Sequence, residues 1–540
     1  MKQTYLVAGG SLSLAVNRQN WPTQAGLEEK LVAAVERLGR PVRRAHPFEP
    51  AKGHGLIDGL PLSLEIFRGI PADAPLLVTG AGASDNRHLL PGLSVHAGPI
   101  LTVGNWSGGG EGIAGFLDLN GGLAALGIKH STLWSETFAD ELFTAGLRRW
   151  LEKGKIRHDE THVRPFDLKP RDAPADLGDA MRTGRDFARR LRRQRVAFVV
   201  INEGCPGLDP VPVPDALLRG AGVGKVRLGE GELTRKLAAV REEEAQAAFD
   251  WCLQSALRFR FGPNEATALT EAEVLAQCRL YVAAVRLADE HGGAASGLPP
   301  GLEATGQVVT SALTEGMLNS IERPPVHHAD TGDELFPGQA LPSFHAGDEG
   351  AGLDGLVTCR LWRELGYAPE TAAYGLRWGR DYRDETTDAY VWTLLGHGST
   401  PPAHFGGWER ASSERTAADA PVGGGTLKGV CRPGWIVWSQ VSVDGERRLG
   451  CDTGIAEVVS LPVTETEDRW QRTTPSSPIL HAVLQGITRD QMLGRLKGGS
   501  LQVVYAPDKE GARRGLFAKA AALRELGVEV AVCGNISGER

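Results

Sequence analysis

Short apolar runs alternate with amphipathic stretches through the first 163 residues. The runs TYLVAG, PLLVTGAG and GPILTVGN have the length and the aliphatic content of buried strands. The stretches AGLEEKLVAAVERLG, GFLDLNGGLAALG and FADELFTAGLRRWLEKG instead predict helices. Strands that alternate with helices predict a parallel sheet covered on both faces. The charged, proline-containing text HDETHVRPFDLKPRDAPADLG is typical of a segment leading out of this domain.

A second unit begins with a helical pattern, MRTGRDFARRLRRQ, followed by the apolar run VAFVVI. The arginines of this helix are interpreted as a solvated face rather than a polyanion site, because the net charge is negative and no aromatic residues interleave. Two longer helical patterns follow, REEEAQAAFDWCLQSALRFRF and LTEAEVLAQCRLYVAAVRLADEHG. Thr270 and Glu273 form a predicted capping box at the start of the second.

The last third reads differently. GWIVWSQVSVDGERRLGCDTGIAEVVSLPV predicts an antiparallel meander with turns at Asp444–Gly445 and at 452–454. SLQVVYA, GLFAKAAALRELG and VEVAVCG then predict a strand, a helix and a strand. The predicted fold class is α/β, with two doubly wound α/β domains followed by a β-rich, barrel-like C-terminal domain. The predicted domains are 1–163, 164–335 and 336–540.

Composition narrows the function classes. The chain has 540 residues, which is too many for a single core. Acidic residues outnumber basic ones 66 to 59, which argues against a nucleic-acid partner held by bulk charge. The seven cysteines form no C-x-x-C pair, which favours a reducing cytoplasm over a disulfide scaffold. No apolar run reaches the roughly 18 residues of a membrane span. We therefore expect a cytoplasmic protein without a membrane partner.

Several common catalytic motifs are missing from the sequence: G-x-S-x-G, H-E-x-x-H and the Walker loop. The glycine-rich text GNWSGGGEG follows a predicted strand, so Asn105, Trp106 and Glu111 are candidates to line a crevice at the sheet edge. Trp106 suits the apolar side of a sugar ring, and packing at the base of a loop explains it equally well. His345 is a candidate metal ligand and His397 lies among small residues after an apolar run.

The stretch HAGDEGAGLDGLVTCRLW combines acids with a helix entry. Asp348 and Glu349 precede apolar residues at helical spacing, and Gly350 and Gly352 keep that entry bare. The pattern alone does not say why carboxylates and glycines stand at the start of a helix whose other face is apolar.

Four motifs occur in a fixed order: EGAGLDG at 349–355, RWG at 377–379, VGGGTLKG at 422–429 and HAVLQG at 481–486. In this order, and in the three-domain plan, the chain resembles the L-fucose isomerase and L-arabinose isomerase superfamily, in particular its L-fucose isomerase-like members. The resemblance in architecture covers the whole chain, and the resemblance in residues begins at about position 310. It implies an intramolecular oxidoreductase of carbohydrate metabolism that interconverts aldoses and ketoses.

The resemblance also implies site residues. A glutamate, an aspartate and a histidine hold a divalent cation in the family, usually Mn²⁺; here Glu349 and His481 match the glutamate and the histidine. Gly375 occupies the aspartate position, and Asp381, Asp384 or Asp354 are possible substitutes. Glu349 would also act as a catalytic acid–base group, and Arg377 and Lys428 are further candidates to contact the substrate.

Oxygen ligands with one imidazole suit Mn²⁺ or Mg²⁺. Such an ion would chelate the open-chain sugar and stabilise an ene-diolate, while carboxylates move the proton. The resemblance implies a deoxy sugar or related monosaccharide as substrate and a homo-oligomer, a trimer or hexamer. Two alternatives stay open because of Gly375: a non-catalytic sugar-binding or regulatory relative, and a metal-dependent epimerase or lyase that uses Asp381 or His397.

Overall fold

The computed structural model describes residues 3–80, 86–108, 113–203, 213–262, 268–304, 307–415 and 422–535. The helices are α1 Leu14–Arg37, α2 Leu60–Gly69, α3 Leu90–Ser94, α4 Ala114–Ala125, α5 Glu141–Lys153, α6 Ala175–Gln194, α7 Asp215–Gly220, α8 Glu230–Ala239, α9 Glu242–Gln254, α10 Glu271–Glu290, α11 Ala312–Leu318, α12 Glu349–Glu364, α13 Val463–Arg472, α14 Arg489–Arg495 and α15 Lys509–Glu525.

The strands are β1 Thr4–Ala8, β2 Val42–Arg44, β3 Leu76–Thr79, β4 Ile100–Asn105, β5 Ser131–Ser135, β6 Val163–Pro165, β7 Val196–Ile201, β8 Val223–Leu228, β9 Arg258–Phe259, β10 Gly293–Leu298, β11 Gly301–Ala304, β12 Gln307–Thr310, β13 Ser343–His345, β14 Thr371–Arg383, β15 Asp388–Gly396, β16 Ser412–Glu414, β17 Thr426–Lys428, β18 Gly434–Val443, β19 Leu449–Val458, β20 Ile479–Leu484, β21 Ser500–Ala506 and β22 Glu529–Cys533.

Two parallel sheets occupy the first two thirds of the chain. The first has the strand order β2-β1-β3-β4-β5, and the second has the order β13-β10-β7-β8. The central strands β3 and β4 are buried almost throughout, as expected of strands covered on both faces. Two separate apolar clusters, one for each face, pack against the first sheet.

The C-terminal third contains a closed antiparallel barrel of six strands. Its order is β18-β21-β14-β15-β20-β19, and the pairing of β18 with β19 closes it. Closure leaves no free edge among these six strands. Outside the barrel, β22 pairs in parallel with β19, and β6 pairs antiparallel with β22.

The mixed α/β class with a barrel-like β-rich end is therefore confirmed. The domain limits 1–163, 164–335 and 336–540 stay predictions. Strands from both sides of these limits share sheets: β6 belongs to the barrel sheet, and β13 completes the second parallel sheet. None of the described helices is long and apolar enough to cross a lipid bilayer.

Some local predictions are confirmed and others are wrong. The capping box is present, since Thr270 Oγ1 accepts from Glu273 N–H and the Glu273 carboxylate accepts from Thr270 N–H. The turn at 452–454 is wrong, because these residues lie inside β19, where they pair with β18 and β22. The charged segment 158–178, predicted to lead out of the first domain, also contains regular structure: β6 and the start of α6.

Candidate functional site

A cavity of about 520 Å³ lies where α4, the start of α12 and the barrel strands β14, β18 and β21 meet. This volume is in the range of small-molecule sites. The polar side chains that line it include Arg87, Asp118, Ser311, Glu315, His345, Asp348, Asp354, Arg377, His397, Ser399, Thr426, Ser439, Gln440, Lys497, Ser500 and Gln502. We call this space the polar cavity.

The turn before α12 brings His345 and Asp348 to the polar cavity. Asp348 N–H donates to the His345 carbonyl at 2.8 Å, and Gly347 has the positive φ of 97° that such a tight turn requires. The Asp348 carboxylate caps the helix by accepting from Ala351 N–H at 3.1 Å. Burial raises the pKa of Asp348, although this hydrogen bond and nearby cations act in the opposite direction.

Asp118 reaches the polar cavity from α4. Its carboxylate accepts from Gly499 N–H at 3.1 Å. Burial raises the pKa of Asp118, whereas Arg87, the Gly499 hydrogen bond and Arg377 partly oppose that rise. A carboxyl group with a raised pKa is a better proton acceptor once ionised and a possible proton donor nearer neutral pH.

Two histidines meet in the polar cavity. The rings of His345 and His397 are perpendicular, with centroids 5.3 Å apart. Nε2 of His397 lies 3.4 Å from the Ser500 hydroxyl. Burial, followed by the charges of His345 and Arg377, lowers the pKa of His397 to about 3, so this imidazole is neutral at physiological pH.

Asp354 contributes to the wall as half of a buried ion pair. The Lys519 ammonium lies 2.5 Å from its carboxylate, and both side chains are almost completely buried. The hydroxyls of Ser439 and Thr358 donate to the same carboxylate. Asp354 is thus neutralised by the protein itself.

Glu349 is completely buried and does not line the polar cavity. Its carboxylate accepts from Lys225 Nζ at 2.7 Å and from Val213 N–H at 3.2 Å. Both oxygens are therefore occupied, one by a cation and one by an amide.

His481 lies on β20 in a different environment. It pairs with Thr393 on the neighbouring strand β15, and the Thr393 hydroxyl accepts from Arg469. Burial and the Arg469 charge lower the pKa of His481 to about 3. Nε2 of His481 has no hydrogen-bond partner among the described residues.

Glu349 and His481 have different neighbours. A Lys225 ammonium holds the first side chain, and an Arg469 guanidinium lies beside the second, so the donor set does not fit a shared Mn²⁺ or Mg²⁺ ion. Within the described ranges, no group of three or more histidine, cysteine or acidic side chains has metal-binding geometry.

Gly375 and Arg377 both line the polar cavity. A Cβ atom added at Gly375 would lie 3.2 Å from Arg377 Nε, so an aspartate at this position would meet the guanidinium. Asp381, on the same strand, is exposed, pairs with Tyr390 and lies outside the polar cavity.

The other two predicted substrate contacts are engaged elsewhere. Trp106 is buried against Trp392 in an edge-to-face contact of 5.8 Å, which agrees with the packing interpretation. Lys428 pairs with Glu414 at 2.9 Å and lies over the Trp470 ring. Glu111 lies outside the described residues.

Sequence reasoning missed Asp118 and Lys497. The signal for Asp118 is an acid between Leu117 and Leu119 in a mostly apolar helix without another charged residue, GFLDLNGGLAAL. Lys497 precedes two glycines and a strand, and its text carries no motif. His345, His397 and the entry to α12 were singled out, and the structure brings them together.

Comparison with known proteins gives no family for this chain. No protein-family model matches the sequence, and no curated protein matches it significantly. The function is therefore argued from the polar cavity itself.

Proposed function

We propose that the protein is an isomerase-like acid–base enzyme that interconverts the aldose and ketose forms of a monosaccharide in the polar cavity. One observation carries this proposal: two carboxyl groups, Asp118 and Asp348, and two imidazoles, His345 and His397, line one cavity with many hydroxyl and amide groups. Hydroxyl and amide side chains suit the hydroxyls of a sugar. The three-domain plan predicted from the sequence is part of the same proposal.

The reaction moves a proton between neighbouring carbons through an ene-diolate. A carboxylate removes the proton alpha to the carbonyl, and a proton donor stabilises the developing charge on the carbonyl oxygen. Asp118 and Asp348 suit the first role because burial raises the pKa of both. The neutral His397 imidazole suits the second role, because its N–H can donate a hydrogen bond to the carbonyl oxygen as negative charge develops there.

The resemblance noted above implies a divalent cation in this reaction. When bound, such an ion would polarise the sugar oxygens. Because the surroundings of Glu349 and His481 do not fit one shared ion, we assign proton transfer to the residues that line the polar cavity.

The test is deuterium wash-in. The full chain is incubated in deuterated water with a panel of aldoses, with Mn²⁺ and with a chelator in parallel, and products are analysed by NMR. We expect exchange at the carbon alpha to the carbonyl together with ketose formation. Asp118→Asn or Asp348→Asn should slow exchange by about 10²–10⁴-fold, the range for loss of an acid–base group.

Asp381→Asn is the matched control, because Asp381 is exposed and lies outside the polar cavity. This variant should keep the unmodified rate. No exchange with any aldose under either metal condition, or undiminished exchange in both cavity variants, would contradict the proposal. An epimer instead of a ketose as product would favour an epimerase.

A second candidate is a sugar-binding protein without catalytic activity. Gly375 favours it, since the resemblance implies an acid at this position, whereas here a glycine lines the cavity beside Arg377. If the unmodified protein binds sugars without exchange and Gly375→Asp gains exchange, this candidate replaces the first. Activity of the unmodified protein excludes it.

A further inference from the structure

We infer that the ligand of the polar cavity carries an anionic group, a carboxylate or a phosphate, which Arg377 and Lys497 bind. The substrate class would then be a sugar acid or a sugar phosphate rather than a neutral sugar. This inference rests on the proposed function for the polyhydroxy part of the ligand.

Arg377 is unusual among the arginines of its strand. Arg380 pairs with Glu465 and Arg383 pairs with Asp388. Arg377, in contrast, forms no ion pair with any side chain in the described ranges, and its buried Nε has no hydrogen-bond partner there.

A break in the barrel pairing accompanies Arg377. The register of β14 against β15 shifts between Leu376 and Trp378, so Arg377 is the residue at the irregularity. Such irregularities re-aim side chains and are frequent beside functional sites. Here the result is a guanidinium at the cavity wall.

Lys497 lines the same cavity from the segment before β21. Gln440 fixes this segment, because its side chain accepts from Lys497 N–H and donates to the Gly498 carbonyl. The Lys497 ammonium has no ion-pair partner in the part of the chain that the structure describes. Gly499, two residues on, accepts from Leu376 N–H, which places the segment next to Arg377 on β14.

Within the described residues, no salt bridge joins Arg377 or Lys497 to a carboxylate that lines the cavity, and Asp348 accepts from Ala351 N–H. Asp354 is paired with Lys519. Glu315 accepts from the hydroxyls of Ser311 and Ser343. Asp118 accepts from a backbone amide, and Arg377 acts on it only at longer range.

Partly buried cations without a partner are costly unless an anion joins them. A guanidinium offers two parallel N–H donors that match the two oxygens of a carboxylate or phosphate, and an ammonium adds a point charge. The cavity volume of about 520 Å³ leaves room for a monosaccharide with either group. A carboxylate and a phosphate would be bound by the same charged hydrogen bonds, and the experiment below distinguishes them.

The experiment is isothermal titration of the full chain with matched triplets of sugars. Each triplet contains a neutral hexose, its 6-carboxylate and its 6-phosphate, for example glucose, glucuronate and glucose 6-phosphate. We expect at least one anionic member to bind about tenfold or more tightly than its neutral parent, the size of one charge-assisted hydrogen bond. Which anionic member gains affinity identifies the group.

Arg377→Gln and Lys497→Gln should each remove most of the preference for the anionic member over its neutral parent. Arg377→Lys, which keeps the charge, should restore part of it. Arg383→Gln is the matched control, because Arg383 lies on the same strand, is exposed and pairs with Asp388. Circular dichroism of each variant checks that it folds. If Arg377→Gln fails to fold, Lys497→Gln still tests the inference.

Equal binding of neutral and anionic members, binding of no anionic member, or a preference that survives both glutamine variants would overturn the inference. Deuterium exchange on the same sugars separates it from the proposed function. Exchange of neutral sugars that depends on Asp118, without any anion preference, overturns only the inference. Anion-selective binding without exchange overturns only the catalytic proposal.

Discussion

Three acids at the start of α12 have three different roles. Asp348 caps the helix and faces the polar cavity, Glu349 binds Lys225, and Asp354 binds Lys519. Their spacing in the sequence is only six residues, yet the helix turns each carboxylate toward different neighbours. The acids of one motif therefore do not share a function.

Glu349→Ala is expected to destabilise the protein by about 1–3 kcal/mol, since the buried Lys225 ammonium loses one of its partners but keeps Glu203. The double variant Glu349→Leu with Lys225→Met should lose less, because it removes both charges. Urea unfolding measures both free energies of unfolding. If Mn²⁺ instead raises the melting temperature of the unmodified protein and not of Glu349→Ala, Glu349 holds a metal as the resemblance implies.

Asp118→Asn is expected to stabilise the protein at neutral pH by about 0.5–2 kcal/mol while removing activity. The folded-state pKa of Asp118 lies above its unfolded value, so its stability contribution is complete below the unfolded pKa and is lost as the pH rises through the folded pKa. The asparagine carries no charge, and its carbonyl oxygen still accepts from Gly499 N–H.

Thermal unfolding of Asp118→Asn and of the unmodified protein across acidic to neutral pH checks this. The stability gain should appear only as the pH rises, with Asp381→Asn as the exposed control. A constant difference at all pH values would contradict the titration of Asp118.

At the scale of the element, the glycines of α12 explain how the helix approaches its neighbours. A Cβ atom on Gly350 would lie 2.7 Å from the Val441 carbonyl oxygen, and one on Gly352 would lie 2.8 Å from the Phe344 ring. The bare helix entry thus serves close packing on β18 and β13. The sequence pattern alone was equally compatible with a metal at this entry.

Gly350→Ala is expected to destabilise the fold by about 1–3 kcal/mol, because backbone on β18 cannot yield easily. Gly355→Ala in the same helix is the matched control. Its added Cβ would lie 3.4 Å from the Gln502 side chain and 3.7 Å from Pro342 Cβ, which are ordinary contacts, so better helix propensity should make it neutral or slightly stabilising. Equal effects of the two substitutions in urea unfolding would show that close packing is not the cause.

Local patterns predicted elements well where one periodicity dominated. The strand VAFVVI and the helix from Thr270 onward follow directly from their apolar spacing. The predicted turn at Asp452 is wrong, because an acid two residues before a glycine is typical of a turn, whereas here the carboxylate pairs with Arg495 and the residue lies in β19. Long-range partners of this kind carry no local signal.

At the scale of the whole molecule, one apolar core joins the predicted domains. The cluster around Trp106, Phe116 and Trp134 of the first unit continues through α10 into the barrel around Trp438. Trp134 Nε1 also donates to Asp490 of α14 at 2.8 Å. The polar cavity lies among these parts, so no single segment of the sequence contained its full set of side chains.

Because the core is shared, we expect one cooperative unfolding transition rather than three. Differential scanning calorimetry of the full chain measures this, with tryptophan fluorescence as a second probe. Coincident midpoints support the shared core. Two or more resolved transitions would show that the predicted domains unfold independently.

The pairing of β6 with β22 joins segments far apart in sequence, with a consequence for synthesis on the ribosome. β6 ends at Pro165 and β22 begins at Glu529, so translation of the intervening chain takes about 20–70 s at roughly 5–20 residues per second. During that delay Trp134 Nε1 lacks its partner Asp490, which is not yet made. The pairing of β6 therefore waits until β22 has been synthesised, and holding chaperones should engage the emerging polypeptide in the meantime.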